Sequence, residues 1–174
     1  MNHEKYSDDY IRGVLDDVKT VAMVGASANN VRPSYFVLKY LLQKGYDVIP
    51  VNPGQAGKTI LGQTVYASLE DIPKPVDMVD IFRNSEVAGQ ITDAAIALET
   101  PPKVIWMQLT VRNDDAAARA EAAGMRVVMN RCPKIEYGRL SGEIAWVGVN
   151  SRTISSKRPK LQGGFQHLGL RQKR

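Results

Sequence analysis

Gly25, Ser27 and Arg32 stand close together in the chain and combine the features a phosphate ester needs from a protein. A glycine lets backbone approach a ligand closely, a serine offers a hydroxyl, and an arginine presents a planar fork of donors to paired oxygens. Pro33 and Ser34 follow as the first turn of a helix, whose free N–H groups and positive dipole end favour an anion. The plainer reading makes Gly25 a tight turn and Arg32 the partner of a surface acid. The apolar run Thr20-Val-Ala-Met-Val24 just before supplies a buried strand, so the whole reads as strand, phosphate-sized turn and helix start.

Its glycines do not fit NAD. The dinucleotide fingerprint G-x-G-x-x-G meets Gly25-Ala26-Ser27-Ala28-Asn29-Asn30, and the next strand, ending at Val51, runs into Asn52-Pro53-Gly54 where a ribose-binding acid is expected. The sequence therefore points to a different nucleotide-bearing ligand.

Other chemistry is sparse. Arg83 could give counter-charge to phosphates or pair with Glu86, and Phe82 beside it could stack on a base; Trp106 reads as core. Asp77 and Asp80, in an otherwise apolar stretch, read as structural acids near a strand edge or cap, since no second catalytic group accompanies them. Cys132 could meet a ligand thiol or be an inert small hydrophobe. With only His3 and His167 beside it, no metal-ligand spacing and no internal disulfide arise.

The elements that would position these residues alternate. A helix over 7–18 with Ser7 as cap comes first; then strands at 20–24, 46–51, 76–82, 103–107 and 125–129. Between them lie a helix from Pro33 with a Phe36, Val37, Tyr40, Leu41 face, and one capped by Ser85 with a Val87, Ile91, Ala94, Ala95, Leu98 stripe. An Ala-rich helix opened by Asn113 follows the fourth strand. The Gly- and Pro-rich segment 54–75 reads as a loop with small strands at Thr59–Leu61 and Val65–Tyr66. This spacing predicts an α/β fold, a parallel five-stranded sheet with helices on both faces, whose ligand edge is the carboxyl end of the strands.

The 174 residues carry a net charge of +5, but seven basic residues and no acid follow Glu143, so residues 1–143 hold a net −2. The expected organisation is a domain over 1–143 and a basic tail over 144–174. A nucleic-acid face across the domain is disfavoured; a tail contact with RNA, DNA or an acidic partner stays open. No apolar run reaches the ~20 residues of a membrane span, and a cytoplasmic location is expected.

The segments Val24-Gly-Ala-Ser27, Arg32-Pro-Ser-Tyr35, Pro50-Val-Asn-Pro53, Val79-Asp-Ile-Phe-Arg83, Trp106-Met-Gln-Leu109 and Asn130-Arg-Cys-Pro133 resemble, in order, the small stand-alone bacterial CoA-binding proteins. More distantly the chain is similar to the N-terminal CoA-binding domain of the succinyl-CoA synthetase α subunit. The resemblance implies a Rossmann-like fold in which Ala26, Ser27, Ala28, Asn29 and Asn30 run along the CoA phosphates and pantetheine. Gln55 would stand in the loop after the second strand, and Met107 and Gln108 would approach the pantetheine arm. Two positions depart from the synthetase: its lysine in the second-strand loop is Gln55 here, and its acid after the fourth strand is Gln108. Neither histidine matches its phosphohistidine.

Together these readings give a protein that holds CoA or an acyl-CoA non-covalently, as a sensor, carrier or regulator, with no complete catalytic set. The rivals are a nucleotide-dependent oxidoreductase, a CoA-thioester enzyme using Cys132, or an interaction protein acting through its tail. Oligomeric state is not legible.

Overall fold

The computed structural model describes residues 3–143, so the expected basic tail lies outside the described residues. Among the described residues two compact units emerge, one of residues 18–132 and one of residues 3–17 with 133–143. In the second unit, α1 (Asp8–Asp17) and α5 (Pro133–Leu140) pack together. Ser7 caps α1 by accepting from the Tyr10 N–H at 3.1 Å. Arg139 then joins the two helices, donating to Asp8 and to Glu136, each at 2.7 Å.

The larger unit is a five-stranded parallel sheet in the order β2-β1-β5-β6-β7, formed by β1 (Thr20–Val24), β2 (Asp47–Val51), β5 (Met78–Ile81), β6 (Val104–Met107) and β7 (Arg126–Val128). The chain moves one way from β1 to β2 and the other way from β5 through β7. Right-handed crossovers therefore put α2 (Pro33–Gln43) on one face, and α3 (Ser85–Ile96) and α4 (Asp114–Ala122) on the other. This is the Rossmann-like arrangement, and its order reverses between β1 and β5.

Alternate residues of the strands, among them Ala22, Val79, Ile81, Ile105 and Met107, share one core with Ala88, Ala95, Ala116, Ala117 and Ala120. Alanines on α3 and α4 let those helices lie close to the sheet. The buried side of α3 is made of Ala88, Gly89, Thr92 and Ala95, with Gly89 against Asn113; Ile91 and Leu98 of the expected stripe pack partly buried against the same core, and Val87 and Ala94 are partly buried. On α2 the buried set is Ser34, Val37, Leu38 and Leu41, while Phe36 points outward, half exposed.

Two further expectations are corrected. Asn84, not Ser85, caps α3 by accepting from the Val87 N–H, and the Ser85 hydroxyl instead accepts from the Arg112 N–H. In segment 54–75 the small strands are β3 (Thr59–Ile60) and β4 (Gln63–Thr64), joined by Leu61 and Gly62, both with positive φ as a two-residue hairpin requires. Tyr66 leaves that hairpin to bridge Val51 beside Pro50, which sits on the edge strand β2 as a residue without an N–H should.

Asp77 acts as the expected cap. Its carboxylate accepts from the Lys19 and Thr20 N–H groups at 2.9 and 3.1 Å and pairs with Lys103 at 2.7 Å. Partial burial pushes its pKa up, but these partners outweigh it and hold the group below the ordinary value.

Asn113 does more than Asn84. Its oxygen caps α4 through the Ala116 N–H at 2.9 Å while its amide nitrogen donates to Ser85 O at 2.9 Å, tying the start of α4 to that of α3. Asn113→Ala is expected to lower the free energy of unfolding by about 2 kcal/mol and Asn84→Ala by about 1 kcal/mol. Urea titration of both variants checks the ordering.

Candidate ligand-binding site

Val24 pairs with Val51 on one side and Ile81 on the other, so the chain leaves β1 between two neighbouring strand ends. Gly25 makes that exit possible. Its φ is +88°, and a Cβ there would lie 2.6 Å from Phe82 O and 3.1 Å from Cδ of Arg83. Its N–H donates to Val51 O at 2.9 Å.

The loop that follows is held by its own polar groups. Ala26 is fully buried, and its carbonyl accepts from Nδ2 of Asn52 at 2.7 Å; Oδ1 of Asn52 accepts from the Gly54 N–H beyond Pro53. Oε1 of Gln55 accepts from the Ala28 N–H at 3.2 Å. Ser27 and Asn29 take the N–H groups of Asn29 and Val31, and Asn30 is exposed. Thus Ser27, Asn29, Asn52 and Gln55 shape the loop, leaving the start of α2 without a side-chain cap.

Against this loop opens a cavity of about 290 Å³, within the range of small-ligand sites. Its apolar wall is Val24, Val51, Leu69, Val87, Ile91 and Ala94, and its polar positions include Asn52, Ser68, Glu70, Arg83 and Gln90. Val87, Ile91 and Ala94 of the expected α3 stripe therefore line the cavity, while Ala95 and Leu98 of that stripe pack with the core. Ala67, Ser68, Leu69 and Glu70 were not foreseen, because the irregular segment after β4 carries no periodicity to place it.

Among the expected residues, Gly25, Asn52, Pro53 and Arg83 line this cavity. Arg83 and Arg32 are both exposed, and among the described residues neither guanidinium has an ion-pair partner; the alternative pair of Arg83 with Glu86 does not form. Phe82 is half-buried and offers its carbonyl to the Gly25 contact. Met107 is fully buried in the core, where a side chain on the inner face of β6 must lie, so it presents no surface to a ligand. Cys132 is buried and is not part of the cavity wall.

Asp80 departs most from expectation. It lies on β5, the central strand, rather than at an edge or cap, and it is wholly enclosed. Oδ1 accepts from Nε2 of Gln108 at 2.8 Å, and Oδ2 has no partner among the described residues. Burial pushes its pKa up to about 7, against the opposing pull of the Gln108 hydrogen bond. Gln108 opens a tight turn in which Thr110 has a φ of +68°, fixed by its N–H donating to Oδ1 of Asn130 at 2.8 Å. Trp106 is core, its indole donating to Arg131 O at 2.8 Å.

A family model described as a CoA binding domain matches residues 19–138. The chain belongs to the CoA-binding domain family. The Bacillus subtilis protein YneT is 34% identical to it over 127 residues, 73% of this chain and 91% of that one. A Thermus thermophilus protein of known structure superposes with a TM-score of 0.72 at 35% identity, covering 78% of this chain and 99% of its own. A larger protein, the acetyl-coenzyme A synthetase 1 of Ca. Korarchaeum cryptofilum solved with phosphate and ADP, superposes with a TM-score of 0.58 at 26% identity, over 71% of this chain and 28% of that one. No helix of this CoA-binding domain is long and apolar enough to cross a membrane, among the described residues.

Two outcomes follow from this geometry. Gly25→Ala forces both a disfavoured φ and a clash with backbone, so it should lower stability by more than about 1 kcal/mol, read as a fall in the thermal midpoint. Asp80 binds a proton in the folded state that the unfolded chain has already released between about pH 4 and pH 7. Stability should therefore fall as pH rises through that window, by up to roughly 4 kcal/mol for this group. Urea unfolding at pH 4 and pH 8 should show Asp80→Asn gaining on the wild type at the higher pH; equal differences at both would refute the assignment.

Proposed function

We propose that this domain holds CoA or an acyl-CoA non-covalently across the carboxyl ends of β1, β5 and β6, serving as a sensor, carrier or regulatory protein. The observation that carries the reading is Arg83, unpaired among the described residues, alongside Gly25 at an apolar cavity in a chain of the CoA-binding family. In open α/β sheets the adenosine end of a nucleotide lies by the strand that follows the glycine turn, which here is the side of Asn52 and the cavity. Adenosine fills the cavity in this reading, and Arg83 and Arg32 give counter-charge to the phosphates.

Asn52 does not substitute for the ribose-binding acid of NAD proteins, because both ends of its amide are engaged with Ala26 and Gly54. Among the described residues the cavity wall brings one carboxylate, Glu70, without a histidine, a cysteine or a second acid. That composition favours holding a ligand over transforming it.

Thermal unfolding with added ligand tests the proposal. At 100 times its dissociation constant a ligand of the folded state adds about 2.7 kcal/mol, so CoA should raise the midpoint by roughly 5 to 11 °C. NAD at equal concentration should do little, and a larger shift with NAD would overturn the reading. Arg83→Ala should weaken CoA binding by about tenfold or more, as lost hydrogen bonds to a charged group do.

A further inference from the structure

A second cavity, of about 490 Å³, opens in the larger unit between the segment that precedes β5 and the C-terminal end of α3. It shares Leu69 and Glu70 with the first cavity and extends from them toward the amino ends of the strands. Leu69, Ile72, Val76 and Leu98 give it an apolar floor, and Pro73 and Pro75, with φ fixed by their rings, stiffen one wall. Its charged groups are unbalanced. Glu70 and Glu99 are exposed, and neither carboxylate has a partner among the described residues, whereas Lys74, the cation beside them, is paired with Asp47.

The end of α3 adds to that imbalance. Behind α2 and α4, Gly45 and Gly124 adopt positive φ, and the N–H groups of Tyr46 and Met125 turn back to the Leu41 and Ala120 carbonyls at 3.1 and 3.0 Å. α3 has no such glycine. Ala97 donates to Asp93 O, and among the described residues no N–H beyond it returns to the helix. The last carbonyls of α3, which carry the negative end of its dipole, are thus left open at the end where Ala97, Glu99 and Thr100 line the cavity.

Two unpaired carboxylates, a negative helix end and an apolar floor are matched by an organic cation with a hydrocarbon body. A metal ion would leave the floor uncovered, and no group of three metal-ligating side chains occurs among the described residues. A single ammonium would leave one carboxylate unmatched. We infer that this second cavity binds a linear aliphatic diamine or longer polyamine, its methylenes on the apolar floor, one ammonium at Glu70 and another at Glu99 beside the end of α3. The inference does not depend on which ligand fills the first cavity.

Amide NMR of the full chain at low ionic strength, with 1,4-diaminobutane as the probe, tests it. The signals of Glu70, Ile72, Val76, Leu98 and Glu99 should move along one saturating curve. Butylamine, with the same stem and one charge, should bind about twofold to fivefold more weakly, the effect of one exposed ion pair. Magnesium ion should not reproduce the pattern, since a compact hydrated ion gains nothing from the apolar floor. Glu99→Gln should weaken the diamine about twofold to fivefold, and it is the decisive single change because Glu70 also lines the first cavity. The double variant Glu70→Gln, Glu99→Gln should bind diamine and butylamine alike. Both positions are exposed, so the spectra of the variants should otherwise match the wild type and report an intact fold. Shifts scattered over the acidic surface without saturation, an equal response to magnesium, or a double variant that still prefers the diamine would overturn the inference.

Discussion

Everything at the ligand edge depends on one close approach of backbone to backbone, where the chain leaves β1 against the carbonyl of Phe82. A side chain at Gly25 would have to occupy space 2.6 Å from that oxygen. Because the contact is main chain on both sides, no repacking of neighbours relieves it. It brings the start of the β1–α2 loop to the end of β5, and the N–H of Gly25 reaches Val51 on the other side. The loop is then completed by Asn52 and Gln55 from beyond β2, so three strand ends are laced together before any ligand is considered.

The alternation of apolar strands with helical segments was legible along the chain, and with it the sheet, because strand ends in a parallel sheet are set by runs of β-branched residues and their turns. Less legible was which side of a helix meets the sheet. On α3 hydrophobicity favoured Val87, Ile91 and Leu98, yet the small residues Ala88 and Ala95 are the ones fully enclosed in the core, with Ile91 and Leu98 packed partly buried against it, since close packing rewards fit over size there. For the site, the glycine turn and Arg83 were visible as residue types in suggestive places. The segment Ala67 to Glu70 was not, because its position comes from a hairpin and a bridge to Val51, not from any local pattern.

Asp77 and Asp80 show how little a residue type says without its surroundings. They stand three positions apart, one just before β5 and one within it. Asp77 gathers two N–H groups and a lysine and is held ionised; Asp80 has a single amide and titrates near neutrality. Only the first behaves as a cap. The difference is set by the sheet, which leaves backbone donors unpaired at the start of a strand and consumes them in the middle.

The edge of the sheet at β2 has a consequence for how this protein behaves in a crowd. An exposed strand with free main-chain groups is a template on which another chain can add, and at Pro50 to Asn52 that role is already filled by Tyr66, which donates to Pro50 O and accepts from the Asn52 N–H. Pro50 itself has no N–H to offer a newcomer. At the far side β7 is only three residues long. Copies of this protein are thereby discouraged from zipping together strand by strand into a continuous sheet.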